Sequence, residues 1–499
     1  MNMRRDGKTR GMGTSYGITT MLVLAFMGIF ALILGSVTSY TFTQARYGRA
    51  LFAQEQALQI AEAGLEYYRW FLAHNPNDLT NGTGESGPYT YTVSDPEGGG
   101  VGSALLTIAG NSTCGVVQSV DITSTGTSNA NPTFSRTLFA RHMRPSVAEN
   151  AYILNSGTWF GSTNVGIGPY HSNGGIRMDG TNNSIVSSQQ TTYLCDPSYG
   201  AECNPPVTKP GVWGSGPGSA LWTFPAPQIN FSNMTLNFAT LQGYAQQSGI
   251  ALNPTSVTVG NIQQGDSFSS VGGTNTRGFH LLFRSDGTVD VYRVTATNAA
   301  NSIRSYNNVN GWQYTYPVII SESFVANVTP PSDCSVIFSQ AKTWIEGTVN
   351  GKITLIVADT GSFAPDIILQ NNIVYTNSNS GLLAVAEDSV HHGLTTPTDL
   401  SIQGIFVAQG GQYGRDHYIA SSGFLPSQYY PYVVRNSLSV TGTIVSFQRG
   451  GVCWGGGGGT CSSGFQNRTN TYDRLLAFAP PAFTPSASTT YTFILWREE

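Results

Sequence analysis

The chain has 499 residues, too many for one ordinary compact core, so two or three domains are expected. Only 10% of residues are charged, against about 25% in typical soluble proteins, and Ser, Thr, Asn and 58 Gly take their place, a mix that suits short strands and frequent turns. A hydrophobic content of 40% excludes general disorder, and a net charge of −4 removes the electrostatic case for nucleic acid as the main partner.

Residues 11–45 contain no charged side chain, and 18–37 are dominated by Met, Leu, Val, Ile, Phe and Ala. About 20 apolar residues at roughly 1.5 Å each match the ~30 Å hydrocarbon core of a bilayer. Arg4, Arg5, Lys8 and Arg10 precede this run against a single Asp6, which keeps the N-terminus cytoplasmic and sends the remainder outward. A cleaved signal peptide would have a shorter apolar run followed by polar sequence. Here no Pro occurs before Pro76, and Tyr47, Leu51, Leu58, Ala61, Leu65, Tyr68 and Leu72 recur at spacings of 3, 4 or 7. That stripe predicts one continuous rod over 18–74, about 85 Å long, whose upper half packs on something.

A short basic leader, then Gly17-Ile18-Thr19, then an apolar helix continuing as an amphipathic one, resembles a type IV prepilin. The resemblance implies that a prepilin peptidase cuts after Gly17 and makes Ile18 the mature N-terminus. The segment Ala61-Glu62-Ala63-Gly64-Leu65-Glu66 is similar to the Ala-Glu-Ala-Gly-Leu stretch of PilX-like accessory pilins. Most main pilins carry Glu as the fifth residue after the cut; Leu22 stands there in this chain, which points away from a repeating shaft subunit.

Residues 89–93, 104–108, 116–122 and 135–141 read as four strands, a layout that resembles the α+β head of pilins. Beyond Pro145, short apolar runs follow one another, including 343–349, 352–358, 366–369, 373–375, 382–386, 402–408 and 438–447. Such runs suit a sandwich or a parallel β-helix, and phrases such as 168–176 and 346–354 favour the helical solenoid. Between them lies an apparent insertion with a helix over 234–247 and a hairpin of 279–283 and 289–292, joined by Ser285-Asp286-Gly287. The expected fold is therefore mainly β. It comprises a leader (1–17), a transmembrane and amphipathic helix (18–75), an antiparallel sheet (76–144), a first part of a β-solenoid (145–223), an insertion (224–330), and a second solenoid part with C-terminal strands (331–499). The C-terminal residues 464–469, 472–473, 480–481 and 493–496 resemble the end of large pilus-associated proteins with a PilX-like start.

Six cysteines suit an exported protein stapled by disulfides. Cys195 with Cys203, and Cys453 with Cys461, each enclose turn-forming residues and read as loop-closing bridges; Cys114 and Cys334 are left over. Neither local pair has the further ligands of a zinc site. The most polar cluster is Gly414-Arg415-Asp416-His417-Tyr418, with Glu387, Asp388, His391 and His392 near it in sequence. It admits acid/base groups of a polysaccharide lyase or hydrolase, but an Arg415–Asp416 pair bracing a turn is the reading preferred. His171 fits a turn-bracing role, Asp286-Gly287 lacks the acidic positions of a calcium loop, and the glycines of 455–459 lack the Lys-Ser/Thr of a phosphate loop. No catalytic, cofactor or metal residue is expected, and no enzymatic activity. The expected function is an accessory pilin whose partners are other pilin subunits, the membrane before assembly and a prepilin peptidase. The alternatives are a tethered β-helix carbohydrate enzyme and a signal-anchored adhesin.

Overall fold

The computed structural model describes residues 16–75, 78–253, 256–259, 262–264, 278–359, 364–455, 460–488 and 490–499. The basic leader residues Arg4, Arg5, Lys8 and Arg10 lie outside the described residues, as do four of the five glycines in the 455–459 run. Two compact units are distinguished. The first holds 1–108, 122–140 and 496–499, and the second 109–121 and 141–495.

The first unit is built on α1, Tyr16–His74, a single helix of 59 residues. Its few polar side chains in the apolar half are satisfied internally: the hydroxyls of Thr38 and Thr43 donate to the carbonyls of Leu34 and Ser39 at 2.7 and 2.9 Å, and Ser36 to Ile33 at 2.8 Å. From Ala53 onward one face is buried, through Ala57, Ile60, Ala61, Leu65, Tyr68 and Leu72. The stripe therefore begins later than the sequence pattern suggested. Tyr47 and Leu51 share its period but are exposed, because no strand covers that part of the helix.

The covering sheet comprises β1 (Tyr89–Ser94), β2 (Gly100–Thr113), β3 (Val116–Ser128) and β4 (Ser135–Met143). Ala104, Leu106, Ile122, Ser124, Ser128, Leu138 and Ala140 are among its fully buried positions, all on the alternate sites that one pleated face requires. Five strands are present rather than four: the C-terminal strand Thr492–Glu498 lies beside β4, giving the order β1-β2-β3-β4 and then the chain end.

In the second unit most strands pair in parallel. One ladder runs from Ile250–Asn253 through Val336–Ser339, Lys352–Val357 and Gly381–Ala386 to the second halves of Asp399–Gly414 and Val434–Gln448. It continues through Tyr152–Leu154, Tyr170–Ser172 and Val186–Ser188. The other runs from Gly278–Phe283 through Lys342–Val349 and Ile367–Tyr375 to the first halves of the same two long strands, then through Ser463–Thr471 to Asn164–Ile167. Next to Val434–Gln448, one rung is thus assembled from opposite ends of the unit's sequence, Tyr152–Leu154 in one ladder and Ser463–Thr471 in the other.

Strands buried on both faces read as unbroken apolar runs. Gly381–Ala386 is an example, with every residue buried. Leu382, Ala384 and Ala386 pack inward with Leu355 and Phe406, while Leu383 and Val385 pack outward with Leu241 and Ala245 of the helix Phe238–Gln247. Where one long strand turns from one ladder into the other, Gly442 holds φ 129°, and a Cβ there would sit 2.0 Å from the Gly404 carbonyl oxygen, so only glycine fits. The segment read as an insertion contributes a strand to each ladder, and its hairpin strands are Gly278–Phe283 and Val289–Thr297. In their turn the Asp286 carboxylate accepts from the Thr288 amide at 2.9 Å.

Candidate assembly helix and the polar clusters

The apolar half of α1 is exposed along its length. Ile18 is 74% exposed and Leu22 53%, and the most apolar window has a mean hydropathy of 2.4 with none of it buried. By length and composition this helix can cross a membrane. Gly17 and Ile18 lie in its first turn, both exposed. Its first acidic residue is Glu55.

The helix lies close against the sheet from Ala57 to Gly64, which includes the start of the 61–66 segment. A Cβ on Gly64 would fall 2.5 Å from Ser124 Oγ and 2.7 Å from Ala104 Cβ, and one on Gly126 only 2.1 Å from the Ala57 carbonyl oxygen. Ala61 and Leu65 share that face and are buried, while Glu62 and Glu66 point outward, Glu66 pairing with Arg69 at 2.5 Å. One turn on, the Tyr68 hydroxyl donates to the Asp78 carbonyl at 3.2 Å, and burial pushes its ionisation upward. Asp78 in turn accepts from the Thr80 hydroxyl and amide at 2.6 and 2.7 Å, which holds its carboxyl below the usual range.

All three disulfides form, Cys195–Cys203, Cys453–Cys461 and Cys114–Cys334, the last closing a separation of 220 residues. Cys114 sits at the β2–β3 turn with φ 52°, followed by Gly115 at 73°.

The cluster around Asp416 is assembled differently from the expected Arg–Asp brace. Arg415 is 1% exposed and donates to three backbone carbonyls, those of Val433, Leu394 and Tyr432, at 3.0, 3.0 and 2.6 Å. Asp416 instead accepts from Ser305 Oγ at 2.7 Å and Asn307 Nδ2 at 3.1 Å, with His391 Nδ1 3.6 Å away. Adjacent side chains alternate across a strand, so His392 turns inward, packed edge-on to Tyr413 and Phe465, where burial pushes its imidazole down to about 3. Asp388 is pushed up to about 6 by burial and then by the charge of Asp366, whose carboxylate has Lys342 Nζ at 3.6 Å. Burial also raises Glu387, which accepts from the Asp359 amide at 2.8 Å. His171 lies within the strand Tyr170–Ser172 rather than in a turn, and its ring bonds Ser187 Oγ on the adjacent parallel strand at 2.9 Å and Asn173 Oδ1, just past its own strand, at 3.0 Å. Among the described residues no group of three His, Cys, Asp or Glu is placed to hold a metal.

One polar group escaped the sequence reading. His280 lies between Glu322 and Glu346, its Nδ1 2.9 Å from the first carboxylate and its Nε2 3.1 Å from the second. Burial opposes its charge, but the two carboxylates outweigh burial and raise its pKa. The three residues are 42 and 66 positions apart, so no local motif announces them.

No protein-family model matches the chain, and no curated protein matches it. Among solved structures, the competence-associated pilin ComZ from Thermus thermophilus is similar to it at 13% identity, over 90% of this chain and 97% of that one, with a TM-score of 0.29. At that score the likeness decides nothing about this chain.

Proposed function

We propose that the chain is an accessory, PilX-like subunit of a type IV pilus or a related secretion filament. The carrying observation is the division of α1: an uncharged, exposed apolar half joined without a break to a half packed on an antiparallel sheet. A plain membrane tether needs only the first half. A filament subunit uses both, since the apolar half sits in lipid before assembly and among the helices of other subunits afterwards. In this reading the N-terminus is cytoplasmic, a prepilin peptidase releases 1–17, and the second unit is displayed outside as a β-solenoid whose parallel rungs stack along the two ladders. Leu22 at the fifth mature position assigns the chain an accessory place rather than a shaft one. The displayed unit is a structural and interaction module, not an enzyme: Asp416 is consumed in tying strands together, and the histidines near it brace turns or fill core.

The raised carboxyl of Asp388 beside Asp366 is the one feature that favours a carbohydrate-active enzyme instead. Mass spectrometry of the mature protein from its native host tests the pilus reading: the N-terminal peptide should begin at Ile18, and Gly17→Trp should retain the leader. Native protein that still carries Met1 defeats it.

A further inference from the structure

A cleft of about 920 Å³ opens in the second unit beside the composite rung. Tyr152 and Tyr170, in register on adjacent parallel strands, stack there with ring centroids 4.9 Å apart and 8° between planes. Tyr413 also lines it; the residue is 3% exposed, yet its hydroxyl has no hydrogen-bond partner among the described residues. A buried phenol in that state costs stability unless something in the cleft bonds it.

The charge of this cleft departs from that of the chain. Arg449 donates to Ser198 Oγ and the Ser198 carbonyl at 2.8 and 3.1 Å and lies 4.2 Å over the Tyr199 ring, with no carboxylate at ion-pair distance among the described residues. Arg468, 8% exposed, donates to the Phe465 carbonyl at 3.0 Å and to the side chains of Thr163 and Asn164, again without a carboxylate partner among the described residues. Arg177 differs: Asp179 and Glu202, which also line the cleft, pair with it at 2.7 and 3.2 Å, and it sits between the Trp159 and Trp213 rings at 4.5 and 4.9 Å.

We propose that this cleft is a binding site for an acidic saccharide. The exposed Trp159 ring suits the apolar face of a pyranose, with the Tyr152–Tyr170 stack as an apolar wall behind it, and the Tyr413 hydroxyl and the Asn470 amide suit sugar hydroxyls. Arg449, with no carboxylate at ion-pair distance among the described residues, takes the sugar's acid group through the N–H groups that Ser198 leaves unused. The volume lies within the roughly 300–1,000 Å³ of small-molecule sites, which admits a short oligosaccharide but not a long polymer in full. The proposal concerns binding without turnover and stands independently of how α1 is used.

The test is isothermal titration of the full chain, in detergent, with trigalacturonate and with neutral maltotriose. Trigalacturonate should bind at least about tenfold more tightly than maltotriose, and Arg449→Gln should remove about that factor. Tyr413→Phe, which keeps the ring, should weaken trigalacturonate binding several-fold with a ligand-free melting temperature no lower than that of wild type. Equal affinity for the two sugars, no heat from either at millimolar concentration, or full affinity in a folded Arg449→Gln variant each overturns the proposal.

Discussion

Adding one methyl group at Gly64 should destabilise the first unit, although Ala is the better helix former. In an exposed helix Gly→Ala gains about 1 kcal/mol. At Gly64 the new Cβ meets Ser124 Oγ at 2.5 Å and Ala104 Cβ at 2.7 Å. The serine can rotate away, but a Cβ is fixed to its strand, so the helix must lift or the sheet must bend. Overpacking of that kind costs about 1–3 kcal/mol, which leaves Gly64→Ala destabilised by about 1 kcal/mol after the helix gain. Gly48 in the same helix has nothing within 4 Å of its would-be Cβ, so Gly48→Ala should keep the gain. The two variants should therefore differ by about 2 kcal/mol in opposite directions around wild type. Thermal unfolding of the detergent-solubilised chain, followed by near-UV circular dichroism, measures both. Ala104→Gly combined with Gly64→Ala should recover part of the loss, a coupling that a double-mutant cycle isolates. A higher unfolding midpoint for Gly64→Ala than for wild type would refute the close packing of helix on sheet.

Replacing Cys114 and Cys334 by Ser should lower stability by up to about 5 kcal/mol in the chain-entropy model, against about 2–3 kcal/mol for Cys453 and Cys461, whose separation is 8 rather than 220 residues. Urea midpoints of the two double variants rank them, and equal midpoints contradict the entropic account. Asp416→Asn should cost about 1–3 kcal/mol, because the amide accepts at one oxygen where the carboxylate accepts from Ser305 and Asn307 at two; an unchanged melting temperature argues against that bridge. The raised pKa of His280 means that its protonated form is favoured in the fold. Its contribution is full below the unfolded-state value of about 6.5 and disappears as pH rises through the folded value. Glu346, lowered by the same contact, acts in the opposite sense, losing its contribution as pH falls through its own folded value. His280→Gln should flatten the decline in stability above about pH 6.5, and an unaltered pH profile of the melting temperature rules the triad out as its source.

Local features were legible along the chain. An apolar run of about 20 residues without Pro is too long for an ordinary strand and makes a helix, in which every backbone bond closes within four residues. The hairpin at Asp286-Gly287 and the two cysteine pairs eight residues apart are equally local. Phe238–Gln247 starts four residues later than the apolar pattern, where Asn237 caps the Thr240 amide at 3.1 Å and sets the first turn. What the tertiary structure decided were the pairings between distant segments. Tyr47 and Leu51 have the period of the buried stripe but lie beyond the strands that cover it. Asp416 stands next to Arg415, in the short link between the strands Asp399–Gly414 and His417–Tyr418, yet bonds residues 109 and 111 positions away, while Arg415 is taken up by backbone carbonyls. Thr492–Glu498 and Ser463–Thr471 have the composition of any β-strand, yet one completes the sheet of the first unit and the other a rung begun at Tyr152–Leu154. Backbone hydrogen bonds between strands are alike for every residue type, so which strand lies beside which depends on the side chains that fill the shared interior, and that filling exists only once the chain has folded.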